Sequence, residues 1–454
     1  MGGLLSSGDH SSVAGSVLYR NGLIVTMDDA GREFDSGWLL VRDGLLEAVG
    51  EDSPPSADET VELAGALVTP GLVNTHHHLY QTLTRAWAQD ATLFEWLKEL
   101  YPVWAGIDAE SVYAAARTGL AELALSGCST VFDHHYVFPR GQEGLVEAEV
   151  QAARELGVRI VASRGSMDLG VSQGGLPPDS LVEEIDEILA DTERLVSLQD
   201  GDRVQLVVAP CSPFSVTSDL LRESAAAARS LGLRLHTHLA ETADEEEYCR
   251  AHYGCRPVEY LDSLGWLADD VWCAHCIHLS SADITRLAAT RTGAAHCPTS
   301  NARLGSGIAP VRDMLDAGVA VGLGVDGSAS NERSDLAFEV KQALLVARLR
   351  DGPKAMTARD GLWLATRGGA AVLGRDDVGS LEPSKRADFA VWRTDGLEFG
   401  GARDLVAELV LGGPQRVDRL VVGGEHVVRG GALARADEAE IAREHRRQAA
   451  RVAP

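Results

Sequence analysis

Apolar positions along this chain change period twice. Residues 17–68 carry short apolar runs broken by turn residues, VLYRNGLIVTM and then GWLLVRDGLLEAVG, with Asn21-Gly22 and Asp43-Gly44 as hairpin signals. Residues 378–431 read the same way, in VGSLEPSKRADFAVW and VDRLVVGGEHVVRGG. Between them, over roughly 69–374, short β-rich runs alternate with long Ala/Leu/Glu segments of helical period. The strand candidates are LVTPGLVNTHHH, STVFDHHYV, RIVASRG, VQLVVAPCS, LRLHTHLAE, VWCAHCIHL, GAAHCPTSN and VAVGLGVDG. Helical segments such as AAARTGLAELALSG, SLVEEIDEILADTERLVSL and LRESAAAARSLG lie between them. Eight β-then-α units over about 300 residues predict an α/β fold, a (β/α)8 TIM barrel. A doubly wound sheet is the weaker reading, because polar residues close many different strands, as barrel sites require. The two ends predict one small β domain formed jointly. The expected division is 1–68 (first part of that β domain, with a frayed N-terminal extension), 69–374 (barrel) and 375–454 (second part of the β domain and a C-terminal helix over ADEAEIAREHRRQAARV).

Composition narrows the function classes. The net charge of −26 and pI near 4.9 argue against a nucleic-acid partner, which would be repelled. No apolar run reaches the length of a membrane span, and the first residues lack the basic start and apolar core of a secretory signal. Seven cysteines, an odd number in a large chain, predict reduced thiols in a cytoplasm. Cys273 and Cys276 form a CxxC, but no second CxxC completes a structural zinc site.

Histidine spacing carries the chemistry. LVNTHHHLYQ holds consecutive His76, His77 and His78 after a buried apolar run. Strand alternation turns His76 and His78 to one face and His77 to the other. Two imidazoles on one face suit zinc or a similar divalent metal. LRLHTHLAET places His236 and His238 on one face, with Glu241 beyond. His238 lies nearer the strand's C-terminal end, where barrel sites sit, so it is expected as a ligand with His236 supporting it. Later strands end in His275 and His278, in His296 and Asn301, and in Asp326, which closes an apolar run. Imidazoles with one carboxylate would hold a single ion with room for water, and Glu241 is a natural proton shuttle beside it.

PGLVNTHHH at 70–78, HTHLAE at 236–241, AHCIH at 274–278 and GVDGS at 324–328 occur together and in order. On these the chain resembles the amidohydrolase superfamily, in its cytosine- and guanine-deaminase-like branch, over nearly its whole length. The resemblance implies a barrel with a β-sandwich from both ends. It also implies one metal held by His76, His78, His238 and Asp326, zinc first and iron(II) as the alternative. Glu241 is implied as acid/base and His275 as the residue polarising the attacking oxygen. The strand-four stretch VQLVVAPCSPF has no lysine to carbamylate, which favours one metal over two. Ser384 stands where the family's returning motif usually has glycine, a departure at a turn.

The expected reaction is hydrolytic deamination of an amino-substituted heteroaromatic ring. Glu241 protonates the ring nitrogen, His275 steadies the attacking oxygen, and Asp326, ligand and base together, moves the water's proton. Gln81, three residues past His78, is expected to bond the ring. The stretches at 74–86, 164–178, 209–217 and 322–332 look most like the 8-oxoguanine deaminase group and the related hydroxytriazine aminohydrolases. 8-Oxoguanine is therefore the expected substrate. A hydroxydechloroatrazine-type triazine is the main rival, guanine and isoxanthopterin follow, and a non-catalytic metal-binding barrel is the remote alternative. A small-molecule substrate and a homo-oligomeric protein are expected.

Overall fold

The computed structural model describes residues 15–413 and 416–453; the proposed N-terminal extension lies largely outside them. Eight parallel strands close a barrel. They are β1 (Leu72–Asn74), β2 (Cys128–Phe132), β3 (Arg159–Ser166), β4 (Val204–Pro210), β5 (Arg234–Leu239), β6 (Val271–His275), β7 (Gly293–His296) and β8 (Val321–Leu323). Each strand is followed by helical segments, so every return connection crosses outside the barrel. Helix boundaries follow local chemistry. Thr217 accepts from Leu220 N to start Ser218–Leu231, and Gly232 ends it at φ 67°.

Barrel strands are buried on both sides, and alternate residues face different partners. Val73, Phe132, Val161, Val207, Trp272 and Ala295 form an apolar plug inside the barrel with Ala370, Val372, Leu373 and Val378. Phe132 and Trp272 flank the His236 ring, with centroids 4.6 and 4.7 Å away. The plug leaves the opposite, C-terminal mouth for polar residues.

Both chain ends contribute to a second sheet, of nine strands. Its spine runs Arg419–Val422, Phe389–Trp392, Leu67–Pro70, Ser16–Val25, Glu33–Arg42. The expected sandwich is one continuous hydrogen-bonded sheet curled on itself. Its opposite parts meet where Gly44 lies against the Gly423 carbonyl, and an apolar cluster of Tyr19, Ile24, Leu39, Phe389, Val391 and Val421 fills the curl. Asp43-Gly44 makes the expected hairpin turn, with φ 49° and 77°. Asn21-Gly22 does not. It sits inside Ser16–Val25 at a shift in register, where Asn21 takes φ 60° and Gly22 leaves room for Leu63. The apolar run expected as one strand before His76 is two strands in different sheets, parted at Gly71.

One buried ion pair ties the sheet to the barrel. Arg159 at the start of β3 bonds both oxygens of Asp388, at 3.2 and 3.0 Å, and Asp388 also accepts from Gly423 N. Asp202 is a second, partly exposed partner for Arg159. Removing Asp388 leaves a buried guanidinium short of its best acceptor. Asp388→Ala is therefore expected to lower unfolding free energy by about 3 kcal/mol, measured by chemical denaturation.

Candidate active site

Past the end of β1 the chain stays extended and bonded on both flanks. Thr75 N donates to Leu323 O, Asp326 N to His76 O, and His134 N to His77 O. Alternation therefore persists through the histidine run. His76 and His78 point into the mouth, while His77 turns away and its Nε2 meets Ser334 Oγ at 2.9 Å. His238 from β5, His275 from β6 and Asp326 from the segment after β8 complete the ring of groups. The backbone is strained at three of these strand ends. Ala240, His275 and Asp326 take left-handed φ of 52°, 70° and 64°, unfavourable for residues with a Cβ.

The far nitrogen of each imidazole fixes its tautomer. His78 Nδ1 donates to His134 O at 2.7 Å, and His238 Nδ1 to Cys211 O at 2.6 Å. His236 Nδ1 donates to Trp272 O, so its Nε2 must accept, and His76 Nδ1 donates to it at 3.0 Å. The Nε2 atoms of His76, His78 and His238 consequently carry lone pairs and no proton. Yet His78 Nε2 and His238 Nε2 lie 3.1 Å apart, with Asp326 Oδ1 3.3 Å from His78 Nε2 and 3.4 Å from His76 Nε2. Four acceptors converge with no donor among them, and His76 Nε2 has no hydrogen-bond partner. Burial holds these histidines below their ordinary pKa, hence neutral. Burial would raise Asp326, but the adjoining His76 ring, with those of His275 and His78, holds its carboxyl well below the ordinary carboxylate range. Neutral imidazoles around one carboxylate make a donor set that fits a divalent cation.

Glu241 stands beside this cluster. Burial pushes its carboxyl up to about 7, with His275 opposing and Asp326 and Glu245 reinforcing. Glu245 accepts from the backbone N–H groups of Ala240 and Glu241 at 2.9 and 2.8 Å, which fixes the turn presenting Glu241. His275 donates through Nδ1 to Asn301 Oδ1 at 2.9 Å, turning Nε2 toward Glu241 at 3.5 Å and Asp326 at 3.9 Å. Burial disfavours charge on His275, but the carboxylates outweigh it and raise its pKa.

Gln81 lies in the turn Leu79–Thr84, buried, with neither amide atom hydrogen-bonded. It lines a cavity with His78, His238, Glu241, His275 and Asp326. A Cβ at position 327 would lie 1.9 Å from Gln81 Oε1, so the glycine of VDGS makes room for that amide. Trp96 and Tyr101 from helix Leu93–Trp104, with Tyr136 and Phe214, form the aromatic walls. Sequence reasoning missed these walls; Trp96 and Tyr101 lie on a helix that reads as an ordinary core stripe. It also missed His134, whose ring stacks on His238 at 4.7 Å and whose Nε2 donates to Ala209 O. The second histidine pair, in FDHHY at the end of β2, was the available signal. His278 and His296 stand apart from the ring of acceptors: His278 Nε2 bonds Ser306 O, and both His296 nitrogens are buried without partners.

Residues 67–427 match the amidohydrolase family. The chain belongs to that family. It is thus an enzyme of a metal-dependent hydrolase family, and the histidine–aspartate cluster stands at the place such a barrel keeps its chemistry. It is 48% identical over 421 residues to 8-oxoguanine deaminase from Pseudomonas aeruginosa, spanning 90% of this chain and 94% of that protein. It is 38% identical over 447 residues to hydroxydechloroatrazine ethylaminohydrolase from a Pseudomonas species, spanning 92% of each. Among solved structures it resembles atrazine chlorohydrolase from Arthrobacter aurescens complexed with zinc. There the TM-score is 0.92 at 33% identity, over 96% of this chain and 100% of the other. No helix among the described residues is long and apolar enough to cross a membrane.

Proposed function

We propose that this amidohydrolase converts 8-oxoguanine and water to urate and ammonia, using one divalent ion held by His76, His78, His238 and Asp326. Zinc is the first choice, in keeping with the zinc complex of the structural neighbour, and iron(II) the second. Bound there, the ion supplies Lewis acidity and makes water acidic enough to react near neutral pH.

The chain's own groups handle the protons. The observation that carries deamination is Glu241, a buried carboxyl held near 7 whose Oε2 lies 3.5 Å from His275 Nε2, in the cavity that Asp326 also lines. A group poised at that value can give a proton to the ring nitrogen beside the carbon under attack and take it back. His275, its Nδ1 committed to Asn301, presents Nε2 to the incoming oxygen. Asp326 accepts the proton released by water and passes it to the departing amine. A new C–O bond replaces the broken C–N bond, and the amine leaves as ammonia. The unpartnered amide of Gln81 reads the edge of a flat ring that Trp96, Tyr101, Tyr136 and Phe214 enclose. The purine assignment rests on the 48% identity to 8-oxoguanine deaminase against 38% for the triazine enzyme. A purine base also suits a protein of net charge −26 better than a nucleotide would.

His76→Ala and His78→Ala are expected to lose the metal, and His77→Ala to keep it, by metal analysis of the purified variants. Glu241→Gln should retain the metal and lose at least about 10²-fold in kcat, the usual scale for a general acid/base. Comparison of kcat/KM for 8-oxoguanine, guanine and a hydroxy-aminotriazine tests the substrate. 8-Oxoguanine is expected to lead; a triazine lead of about tenfold, worth about 1.4 kcal/mol in the transition state, would reverse the assignment.

A further inference from the structure

A second group of buried titratable residues lies behind the site. Asp133, His135 and Glu149 are fully buried, and each offers a ligand-type atom within 4.8 Å of the others'. Asp133 follows β2, and Glu149 belongs to helix Leu145–Leu156. The contacts form a line. Asp133 Oδ1 accepts from Leu79 N at 2.6 Å, the first residue of the turn that carries Gln81. Glu149 Oε1 lies 2.7 Å from His135 Nδ1, and His135 Nε2 lies 3.0 Å from Val137 O. Asp133 Oδ2 and Glu149 Oε2 are buried with no donor, and the two carboxyls approach each other within the same 4.8 Å cluster.

Such a line holds together only with a proton on each link. The links Asp133–Glu149, Glu149–His135 and His135–Val137 each join two atoms that can both accept, so each needs one proton. Three protons shared among an aspartate, a glutamate and a histidine leave no net charge, wherever each proton sits along its link. A second cation is the competing explanation, but both ring nitrogens of His135 are already engaged, leaving only two free carboxylate oxygens. We propose that Asp133, Glu149 and His135 form a neutral, three-proton triad that acts as a positioning device, anchoring the turn from Leu79 and so holding Gln81 toward the substrate. Burial pushes Glu149 up to about 8 and Asp133 well above its ordinary value, and pushes His135 down to about 4, as shared protons require. The neighbouring backbone serves the same strand end: His134 N bonds His77 O and His134 O bonds His78 Nδ1. The anchor's effect on catalysis rests on the reading of Gln81 as a substrate contact; its proton count does not.

The test compares Asp133→Asn with Asp133→Ala in the metal-loaded, full-length protein, reading KM, kcat, metal content and hydrogen exchange at the Leu79 amide. Asparagine can accept from Leu79 through Oδ1 and fill the Glu149 link with an N–H. The asparagine variant is expected to keep the Leu79 amide protected and KM within about threefold, whereas alanine should raise both amide exchange and KM by about tenfold, with a smaller change in kcat and unchanged metal content. Asparagine behaving like alanine would overturn the proposal, since a charge rather than a proton would then be required. So would a second metal ion that disappears in the asparagine variant, or an alanine variant with normal Leu79 protection. If 8-oxoguanine is not turned over, the exchange and metal readouts still decide the triad, and only the substrate reading fails. If the alanine variant does not fold, the asparagine variant alone carries the decision.

Discussion

An excess of lone pairs organises the mouth of this barrel. Three imidazoles and a carboxylate meet there, and the far side of every imidazole is already bonded in a way that forbids a proton on the near side. Buried acceptors forced together without a donor are costly. The surrounding fold is what keeps them together. Thr75 and His76 are stitched to β8, His77 to the end of β2, and His236 is wedged between Phe132 and Trp272 below His76. Loosening any of these would let the acceptors drift apart, which is the relaxation that a bound cation makes unnecessary.

Much of this was legible in the chain because period-two alternation continued past the last ladder residue. His76 and His78 part from His77 only because the backbone there stays extended between two neighbours. The eight strands were legible for a similar reason, being short, apolar and punctuated by polar ends. Other features depended on distant partners. Nothing local distinguishes Asn301 from a helix-start residue until His275 bonds it, or Asp133 from a strand-end acid until Leu79 N reaches it. Asn21-Gly22 looked like a turn because the left-handed conformation that favours Asn also occurs at a bulge. Trp96 and Tyr101 were hidden by a helix whose site-facing and core-facing residues share one apolar stripe.

The division of labour between the acceptor cluster and the walls matters for how such an enzyme diversifies. Purine- and triazine-directed relatives are both similar to this chain along nearly its entire length. The cluster is drawn from strand ends fixed by the barrel, whereas Gln81 sits on a turn, Trp96 and Tyr101 on a helix outside it, and Tyr136 and Phe214 on the segments that follow β2 and β4. A ring with a different edge can be accommodated by changing the latter without disturbing the former.

The sheet built from both chain ends sets a schedule for biosynthesis. Leu67–Pro70 pairs on one side with Ser16–Val25, already made, and on the other with Phe389–Trp392, which the ribosome has yet to produce. At about 5–20 residues per second, roughly 15–60 s separate the two strands. Throughout that interval the nascent chain displays an open strand edge beside a barrel still under construction, the kind of edge that recruits other chains. Expression yield should thus be governed less by the finished enzyme's stability than by translation speed and by chaperones that shield that edge until the last strands arrive.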